Sequence, residues 1–211
     1  MPPESPHWLI RPGLLLCYVP SWLGPQRAQE TFETLLHTHQ FSQGQIQLFG
    51  RWMDEPRAMD WCGDAPYTYA KKRLPPQPWS HCAAMLRHEL QALLSALHCP
   101  LPDQALNHVL LNLYRDGQDS MGYHQDNERE LGRYPLIVSL SLGASRRFLL
   151  RPHPASGCRA APIRFTLSSG DVLIMAGRTQ LDWQHQVPKT RQSVEPRLNL
   201  TFRTICEDFG V

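Results

Sequence analysis

The chain has 211 residues, of which 42% are hydrophobic and 19% charged, and its net charge is +2. This length allows one domain or at most two small ones, and the composition is too apolar for a disordered chain. The near-neutral net charge excludes a surface that is positive throughout, as in a histone, but allows a local basic patch. No apolar run reaches the roughly 20 residues of a transmembrane helix. We therefore expect a soluble, monomeric protein without a membrane partner, cytoplasmic (nuclear in a eukaryote) and not secreted.

Two segments in the first half of the chain have apolar residues at helical spacing. They run from Pro25 to His39 and from Pro78 to Leu97, with Leu35 and Leu90 on the apolar stripes. Stripes of this kind are typical of helices that pack one face against a core. We therefore expect two helices that flank the rest of the fold.

After residue 105 the pattern changes to short segments with a period of two residues, separated by turn residues. These segments are Leu106–Tyr114, Pro135–Leu142, Arg147–Arg151, Ile163–Leu167, Asp171–Ala176 and Arg197–Ile205. Many short strands at regular spacing predict a β-sandwich or jelly roll. The sequence thus predicts a single, mainly β domain over residues 1–211, in which residues 106–211 form the core. Residues 1–105 form an α/β extension that carries the two helices.

The segment His124-Gln125-Asp126 places an imidazole and a carboxylate two residues apart. In an extended chain such residues point to the same face, so both groups can meet at one point. A second imidazole from another strand would complete the two-histidine, one-carboxylate triad that holds non-haem iron(II). His185 is the best candidate for it. Taken by itself, the segment His124-Gln125-Asp126 is better explained as a hydrogen-bonded turn than as a metal site.

Every second residue is polar in the predicted strand that ends the β half. The residues that share this polar face are Arg197, Asn199, Thr201 and Arg203. A half-exposed strand produces the same alternation. Two guanidinium groups on one strand also suit a small dicarboxylate, because each can bind a carboxylate through two parallel hydrogen bonds.

Asn112 and Tyr114 likewise share one face of a strongly apolar strand. A buried polar group without a partner costs about 1–3 kcal/mol, so both side chains need partners. A bound cosubstrate or a backbone carbonyl could supply them.

Taken together and in this order, the motifs resemble the AlkB family of iron(II)- and 2-oxoglutarate-dependent dioxygenases, over roughly residues 46–204. The matching segments are Asn112-Leu-Tyr114, His124-Gln-Asp126-Asn-Glu128, Ser139-Leu-Ser-Leu-Gly143, His185 and Arg197-Leu-Asn-Leu-Thr-Phe-Arg203. The resemblance implies a double-stranded β-helix, which is a jelly roll and agrees with the predicted strands. It also implies a nucleotide-recognition lid in the N-terminal extension.

The same resemblance implies that His124, Asp126 and His185 are the catalytic centre and bind the iron. The oxo-acid end of 2-oxoglutarate would take two further positions on the metal, and dioxygen the last. Arg203 would pair with the distal carboxylate of this cosubstrate. The residues expected at its other end are Asn112, Tyr114 and Arg197. Those expected to line the same pocket are Asn199 and Thr201.

The implied activity is oxidative dealkylation repair of bases such as 1-methyladenine and 3-methylcytosine in DNA. The alkyl group leaves as formaldehyde, while 2-oxoglutarate and dioxygen give succinate and carbon dioxide. The methylated base would leave the stack of single- or double-stranded DNA to reach the metal. An AlkB-like enzyme acting on RNA, protein or a small molecule is one alternative. A non-catalytic nucleic-acid-binding β-domain is the other.

Five residues are candidates for substrate contact. Glu128 matches the acidic residue that the family places against the target base, and a carboxylate favours a cationic methylated base. Its alternative is a surface glutamate in a charged run. Tyr69 resembles a lid residue, and Phe49 resembles the tip of a hydrophobic finger inserted into duplex DNA. Trp61 is a looser candidate for stacking. Core packing is the alternative for both Phe49 and Trp61.

Lys71 stands where relatives specialised for duplexes carry a second aromatic residue, which counts against a preference for double strands. Binding of the phosphate backbone needs cations, and basic residues cluster in three regions. They are Lys71-Lys72-Arg73 beside the lid, then Arg146, Arg147, Arg151, Arg159 and Arg164, and finally Lys189 and Arg191. Solvated surface faces are the alternative explanation for these clusters.

Overall fold

The structure is a computed structural model that describes residues 6–48, 51–69, 72–97 and 105–206. Its strands and α-helices follow one another in this order: β1 (His7–Arg11), β2 (Leu14–Val19), α1 (Pro25–Thr38), β3 (Gln45–Leu48), β4 (Arg51–Asp54), β5 (Ala58–Gly63), β6 (Tyr67–Tyr69), β7 (Lys72–Leu74), α2 (His81–Ala96), β8 (His108–Tyr114), β9 (Met121–His124), β10 (Ile137–Gly143), β11 (Arg146–Pro152), β12 (Ile163–Leu167), β13 (Val172–Ala176), α3 (Thr179–Asp182), β14 (Trp183–Val187) and β15 (Arg197–Arg203).

Two antiparallel sheets form the frame. The large sheet has seven strands in the order β1-β2-β13-β10-β15-β8-β5, and the small sheet has four in the order β12-β11-β14-β9. Two hairpins, β3–β4 and β6–β7, stand beside them. One apolar core lies between the large sheet and the helices, and a second lies between the two sheets. The predicted mainly β jelly roll with two flanking helices is confirmed.

Strands from both sides of residue 105 share the large sheet. β1, β2 and β5 come from the first half of the chain, and β5 pairs with β8 from the second half. The first hundred residues therefore complete the sheet as well as carrying the helices.

Strand β15 lies between β10 and β8 in the large sheet, with both of its faces buried. Leu198, Leu200 and Phe202 pack into the core on the helix side. The polar residues alternate with them and so point toward the small sheet. The half-exposed strand is therefore wrong as an explanation of the alternation, since all seven residues of β15 are buried.

Both predicted helices exist, with slightly different ends. Helix α1 stops at Thr38 because His39 is extended, with a ψ of 147°. Helix α2 begins only at His81 because the Ser80 side chain caps it by accepting the backbone N–H of Ala83. Leu35 and Leu90 are fully buried on the faces that pack on the large sheet. No helix in the described ranges is long and apolar enough to cross a bilayer.

Candidate active site

The small sheet and the segment after β9 bring the three predicted metal ligands together. His124 ends β9 and lies directly opposite His185 of β14 in the small sheet, with ring centroids 4.2 Å apart. Asp126 follows two residues later, and its Oδ1 lies 3.8 Å from Nε2 of His124. One ligand atom from each residue lies within 4.8 Å of the others. Two imidazoles and one carboxylate in this arrangement suit a divalent metal and leave part of its coordination sphere open.

The charge state of the three groups fits metal binding. Burial opposes ionisation of Asp126, but Arg203 and the two histidines outweigh it and hold the pKa of Asp126 well below its usual range. Burial and the neighbouring His124 lower the pKa of His185 to about 3, and burial also lowers the pKa of His124. At neutral pH the site therefore offers one carboxylate and two neutral imidazoles, which is the protonation state that a metal requires.

Hydrogen bonds orient two of the ligands. Nδ1 of His124 donates to the carbonyl oxygen of Gly122 at 2.9 Å, which leaves Nε2 free to face the metal position. The backbone N–H of Asp126 donates to Oε1 of Gln180 at 3.0 Å, and Gln180 is fully buried in α3. Gln125 also donates to the carbonyl oxygen of Leu181 at 2.9 Å. The HxD segment is thus held against α3, the element that leads into the strand of His185.

The polar face of β15 forms one wall of the pocket beside the triad. Asn199 lies opposite Asn112 of the neighbouring strand β8, and the Asn199 amide donates to Oγ of Ser139 at 2.8 Å. The pocket is also lined by Thr201 and Arg203. These four side chains predicted for the cosubstrate therefore meet around the triad.

Arg197 and Tyr114 lie opposite each other at the far end of the same wall. Nη2 of Arg197 donates to Oγ of Ser141 at 2.9 Å, and the guanidinium lies 5.3 Å from the Tyr114 ring. Burial lowers the pKa of Arg197 to about 10, so the group is still cationic at neutral pH. Both residues are buried, yet neither is among those that line the pocket at the triad.

Unpaired N–H donors on the arginines of β15 indicate which kind of ligand this pocket wall can bind. Nε and Nη1 of Arg197 and of Arg203 are buried and have no hydrogen-bond partner among the described residues. A buried cation with unpaired donors is costly unless an anion pairs with it. Two such cations at separate positions on one strand fit a small dicarboxylate, so the residues present suit 2-oxoglutarate.

Arg203 also contacts one of the three predicted metal ligands. Nη2 of Arg203 lies 3.3 Å from Oδ2 of Asp126, so this arginine belongs to the metal end of the pocket. Arg197 lies six residues away along β15, outside the set of residues that line the pocket at the triad.

Two of the residues predicted to contact substrate lie near the triad. Tyr69 is buried and lines the pocket, where its hydroxyl accepts a hydrogen bond from Nη2 of Arg57. Glu128 is half-buried; burial and then the nearby Asp126 charge raise its pKa, while Arg203 opposes this rise. Both side chains thus lie within the electrostatic reach of the metal site.

Of the other three candidates, the structure describes Trp61 alone, and it does not lie at the triad. Trp61 packs at the edge strand β5, donates to the carbonyl oxygen of Pro75 at 2.8 Å and lines a separate cleft. Phe49 and Lys71 lie outside the described residues.

Arg57 is a pocket residue that the sequence patterns missed. It is 4% exposed; its Nε donates to Oδ1 of Asn112 at 2.7 Å, while Nη2 donates to the Tyr69 hydroxyl. It therefore joins the lid strand β6 to the wall of the cosubstrate pocket. An isolated arginine between two short strands has no motif around it, so only the folded chain identifies it. Gln180 was missed for the same reason.

The basic residues divide into two groups. Arg146 is buried and donates to the carbonyl oxygens of Asp116, Asp119 and Pro188, which makes it a structural cation. Other cations are exposed; Arg147 and Arg191 line an open cleft of ≈ 600 Å³. This second group is available to bind an anionic partner.

Comparisons with known proteins agree with this site. A profile described as the 2OG-Fe(II) oxygenase superfamily matches residues 15–203. The chain is 36% identical over 199 residues to alpha-ketoglutarate-dependent dioxygenase alkB homolog 3 of Bos taurus, covering 92% of this chain and 67% of that protein. The human alkB homolog 3 is 39% identical over 160 residues, covering 73% and 53%. The chain thus spans between about half and two thirds of these relatives' length.

Two further comparisons extend the similarity. DNA oxidative demethylase ALKBH2 of Mus musculus is 34% identical over 212 residues, covering 96% of this chain and 85% of that protein. A solved structure titled "The structure of OsALKBH1" superposes with a TM-score of 0.60 at 19% identity, covering 95% of this chain and all of that one, which shows the same fold. The chain therefore belongs to the 2OG-Fe(II) oxygenase superfamily and, within it, to the AlkB family.

Proposed function

We propose that this protein is a DNA repair dioxygenase that removes N-linked alkyl groups from bases such as 1-methyladenine and 3-methylcytosine. The observation that carries the proposal is the cluster of His124, Asp126 and His185 beside the buried guanidinium of Arg203. Relatives named DNA oxidative demethylase match nearly the whole chain, which supports DNA as the substrate.

In this proposal β15 and β8 hold the cosubstrate. Because Arg203 contacts the metal ligand Asp126, we place the metal-binding end of 2-oxoglutarate at Arg203, the opposite of the orientation that the resemblance implies. Arg197 with Tyr114 then receives the distal carboxylate. Asn112, Asn199 and Thr201 supply hydrogen bonds along the wall between them. Because these groups are fixed by strand pairing and burial, they need little rearrangement when the ligand binds.

His124, Asp126 and His185 hold the metal, with the imidazoles neutral and the carboxylate ionised. Bound iron(II), with 2-oxoglutarate and dioxygen, supplies the oxidation that hydroxylates the N-alkyl carbon and releases it as formaldehyde. The buried walls of the pocket exclude water and orient the base for that chemistry.

Glu128 and Tyr69 act on the base itself. A base methylated at N1 of adenine or N3 of cytosine is cationic, and a cation beside Glu128 favours the ionised carboxylate despite its burial. Tyr69 is held by Arg57, so the lid hydroxyl has a fixed position above the pocket. Together they favour a cationic, planar ligand over a neutral one.

The direct experiment incubates the purified protein with iron(II), 2-oxoglutarate and a DNA oligonucleotide that contains 3-methylcytosine. We expect succinate and formaldehyde in equal amounts with restored cytosine, and no product from Asp126→Ala. Succinate without restored cytosine would move the substrate to another class of molecule. Oligonucleotide binding without any succinate would indicate a non-catalytic binding domain.

We further propose that the protein acts as a monomer and prefers DNA to RNA. The same reaction with single-stranded DNA, duplex DNA and RNA oligonucleotides measures the preference. Size-exclusion chromatography of the active fraction measures the oligomeric state, and activity found only in a dimer peak would contradict the proposal.

A further inference from the structure

A second cluster of reactive side chains lies at the edge of the large sheet, outside the metal site. Oδ2 of Asp60, in β5, lies 2.8 Å from Nδ1 of His39, the residue that follows α1. Nε2 of the same imidazole lies 2.9 Å from Oγ of Ser80, the residue that caps α2. All three line a cleft of ≈ 600 Å³ that shares no described residue with the metal pocket.

The hydrogen bonds determine where the protons are. Burial opposes ionisation of Asp60, but hydrogen bonds from His39, the backbone of Trp61 and Gln77 outweigh it and lower the pKa of Asp60. An ionised carboxylate only accepts, so Nδ1 of His39 must carry the proton that it donates to Asp60. In the neutral imidazole Nε2 is then the acceptor, and the Ser80 hydroxyl donates its hydrogen bond to it.

The Ser80 hydroxyl also has the electron pair that an attack requires. Its oxygen has two lone pairs, and one accepts the backbone N–H of Ala83 at 3.3 Å. The second lone pair is used by no hydrogen bond among the described residues. Ser80 stands at the N-terminus of a 16-residue helix, where free backbone N–H groups and the helix dipole favour negative charge on a nearby oxygen.

The remaining walls of the cleft suit a small organic ligand. Trp61, Pro78 and Trp79 supply apolar surface next to Ser80. The Trp79 ring is held in place because its Nε1 donates to Asp64 at 2.7 Å. A small carboxylic ester with an aromatic or aliphatic group matches this combination of apolar walls and a nucleophile.

We propose that Ser80, His39 and Asp60 form a nucleophilic triad that hydrolyses small carboxylic esters. Oγ of Ser80 attacks the ester carbonyl while its proton moves to Nε2 of His39. The bond from the carbonyl carbon to the alcohol oxygen breaks, and the alcohol leaves with that proton. Water then attacks the acylated Ser80, passes a proton through His39 to Oγ and releases the carboxylic acid. Asp60 keeps the imidazole oriented throughout.

The test treats the full-length protein with a fluorophosphonate probe and locates the adduct by mass spectrometry. We expect one adduct per chain, at Ser80. It disappears in Ser80→Asn, which retains the helix cap without a nucleophile. It forms at least about tenfold more slowly in His39→Gln and Asp60→Asn. The matched control is Ser95→Ala, which removes an exposed hydroxyl of the same helix and leaves labelling unchanged.

Hydrolysis of p-nitrophenyl acetate gives a second readout, with an expected burst of one product per chain that Ser80→Asn abolishes. Unlabelled Ser80 in the folded wild-type protein would overturn the proposal, even if a variant failed to fold. Labelling that persists at the wild-type rate in His39→Gln would also overturn it, because the serine would then react without its base. DNA dealkylation by Ser80→Asn at the wild-type rate shows that this variant is folded.

Discussion

Two buried arginines give the cosubstrate pocket its charge, and they lie at opposite ends of β15. Arg203 contacts the carboxylate of Asp126, whereas Arg197 donates to the Ser141 hydroxyl and lies beside the Tyr114 ring. The two residues therefore have different tasks. Arg203 holds Asp126 ionised, whereas no described carboxylate pairs with Arg197, which we propose as the partner of the distal carboxylate.

We predict that Arg197→Met raises the dissociation constant of 2-oxoglutarate roughly 10- to 150-fold, because hydrogen bonds to a charged group contribute about 1.5–3 kcal/mol. Methionine fills similar space, so thermal stability without ligand stays close to that of the wild type. Isothermal titration of the metal-loaded protein measures the change. Arg147→Met, on the exposed outer face, is the control, and equal affinities of the two variants would contradict this role.

The buried imidazole of His108 leads to a prediction of how the free energy of unfolding depends on pH. Its imidazole is 1% exposed, packs against the Tyr67 ring at 4.8 Å and has no hydrogen-bond partner in the part of the chain that the structure describes. Burial and Arg203 lower its pKa to about 3. Between about pH 6.5 and 3 the unfolded chain binds a proton that the folded chain does not, so the free energy of unfolding decreases as the pH falls through this range.

The matching variant is His108→Leu, which cannot take up that proton. We expect denaturant titrations to show that the wild type loses up to about 1.4 kcal/mol per pH unit more than the variant below pH 6.5. Parallel stability curves for the two proteins from pH 6.5 to 4.5 would show that His108 is protonated in the folded state.

At the scale of elements, the short helix α3 connects the two segments that carry metal ligands. Gln180 in α3 accepts the backbone N–H of Asp126, and His185 follows in the next strand. Thr179 fixes α3 to β2 by accepting the backbone N–H of Leu15 at 2.9 Å. The spacing between Asp126 and His185 therefore depends on α3.

We predict that Gln180→Met weakens metal binding about 10- to 100-fold, the usual cost of losing a group that orients a ligand. Gln180→Glu retains the acceptor oxygen and restores part of the affinity. Anaerobic titration with cobalt(II) measures both variants. The control is Gln186→Met on the outer face of β14, and a Gln180→Met variant that binds as tightly as this control would contradict the role of α3.

The sequence predicts some elements much better than others. Helices α1 and α2 and six strands after residue 105 are visible because each has a regular apolar period and turn residues at its ends. Strands β2 and β5 have no such clear period, because long-range pairing with β13 and β8 stabilises them. Local propensity cannot indicate a pairing partner that lies so far along the chain.

The same difference between local pattern and long-range contact decides which site residues the sequence predicts. The spacing in the HxD motif and along β15 predicts which side chains share a face, and His124, Asp126 and the β15 residues do so. The contact between Arg203 and Asp126 could not be predicted, because it joins the large sheet to the segment that follows β9. Arg57 and Gln180 carry no motif and become recognisable only through their partners.

At the scale of the whole molecule, the helices cover one face of the large sheet, and the small sheet covers the other. The exposed Arg147 and Arg191 lie in a cleft at the small sheet, whereas Arg27 lies on α1, where it pairs with Glu89 at 2.6 Å. The outer surface of the small sheet is therefore the side on which we place the phosphates of the substrate strand.

We predict that Arg147→Ala with Arg191→Ala weakens oligonucleotide binding and lowers the slope of log K against log[salt] by roughly 1–2, since each phosphate contact contributes about 0.7–0.9. Fluorescence anisotropy at several salt concentrations measures both effects. Arg27→Ala is the control on the opposite side. A slope that falls equally in the control would place the nucleic acid elsewhere.

The central claim is that one metal ion binds to His124, Asp126 and His185 with Arg203 at its side. A crystal structure with manganese(II) and 2-oxoglutarate, using the anomalous signal of the metal, tests it most directly. We predict one anomalous peak per chain within about 2.3 Å of all three residues, with the distal carboxylate at Arg197. A peak that lacks Asp126 or His185 as a ligand, or a distal carboxylate at Arg203, would contradict the account.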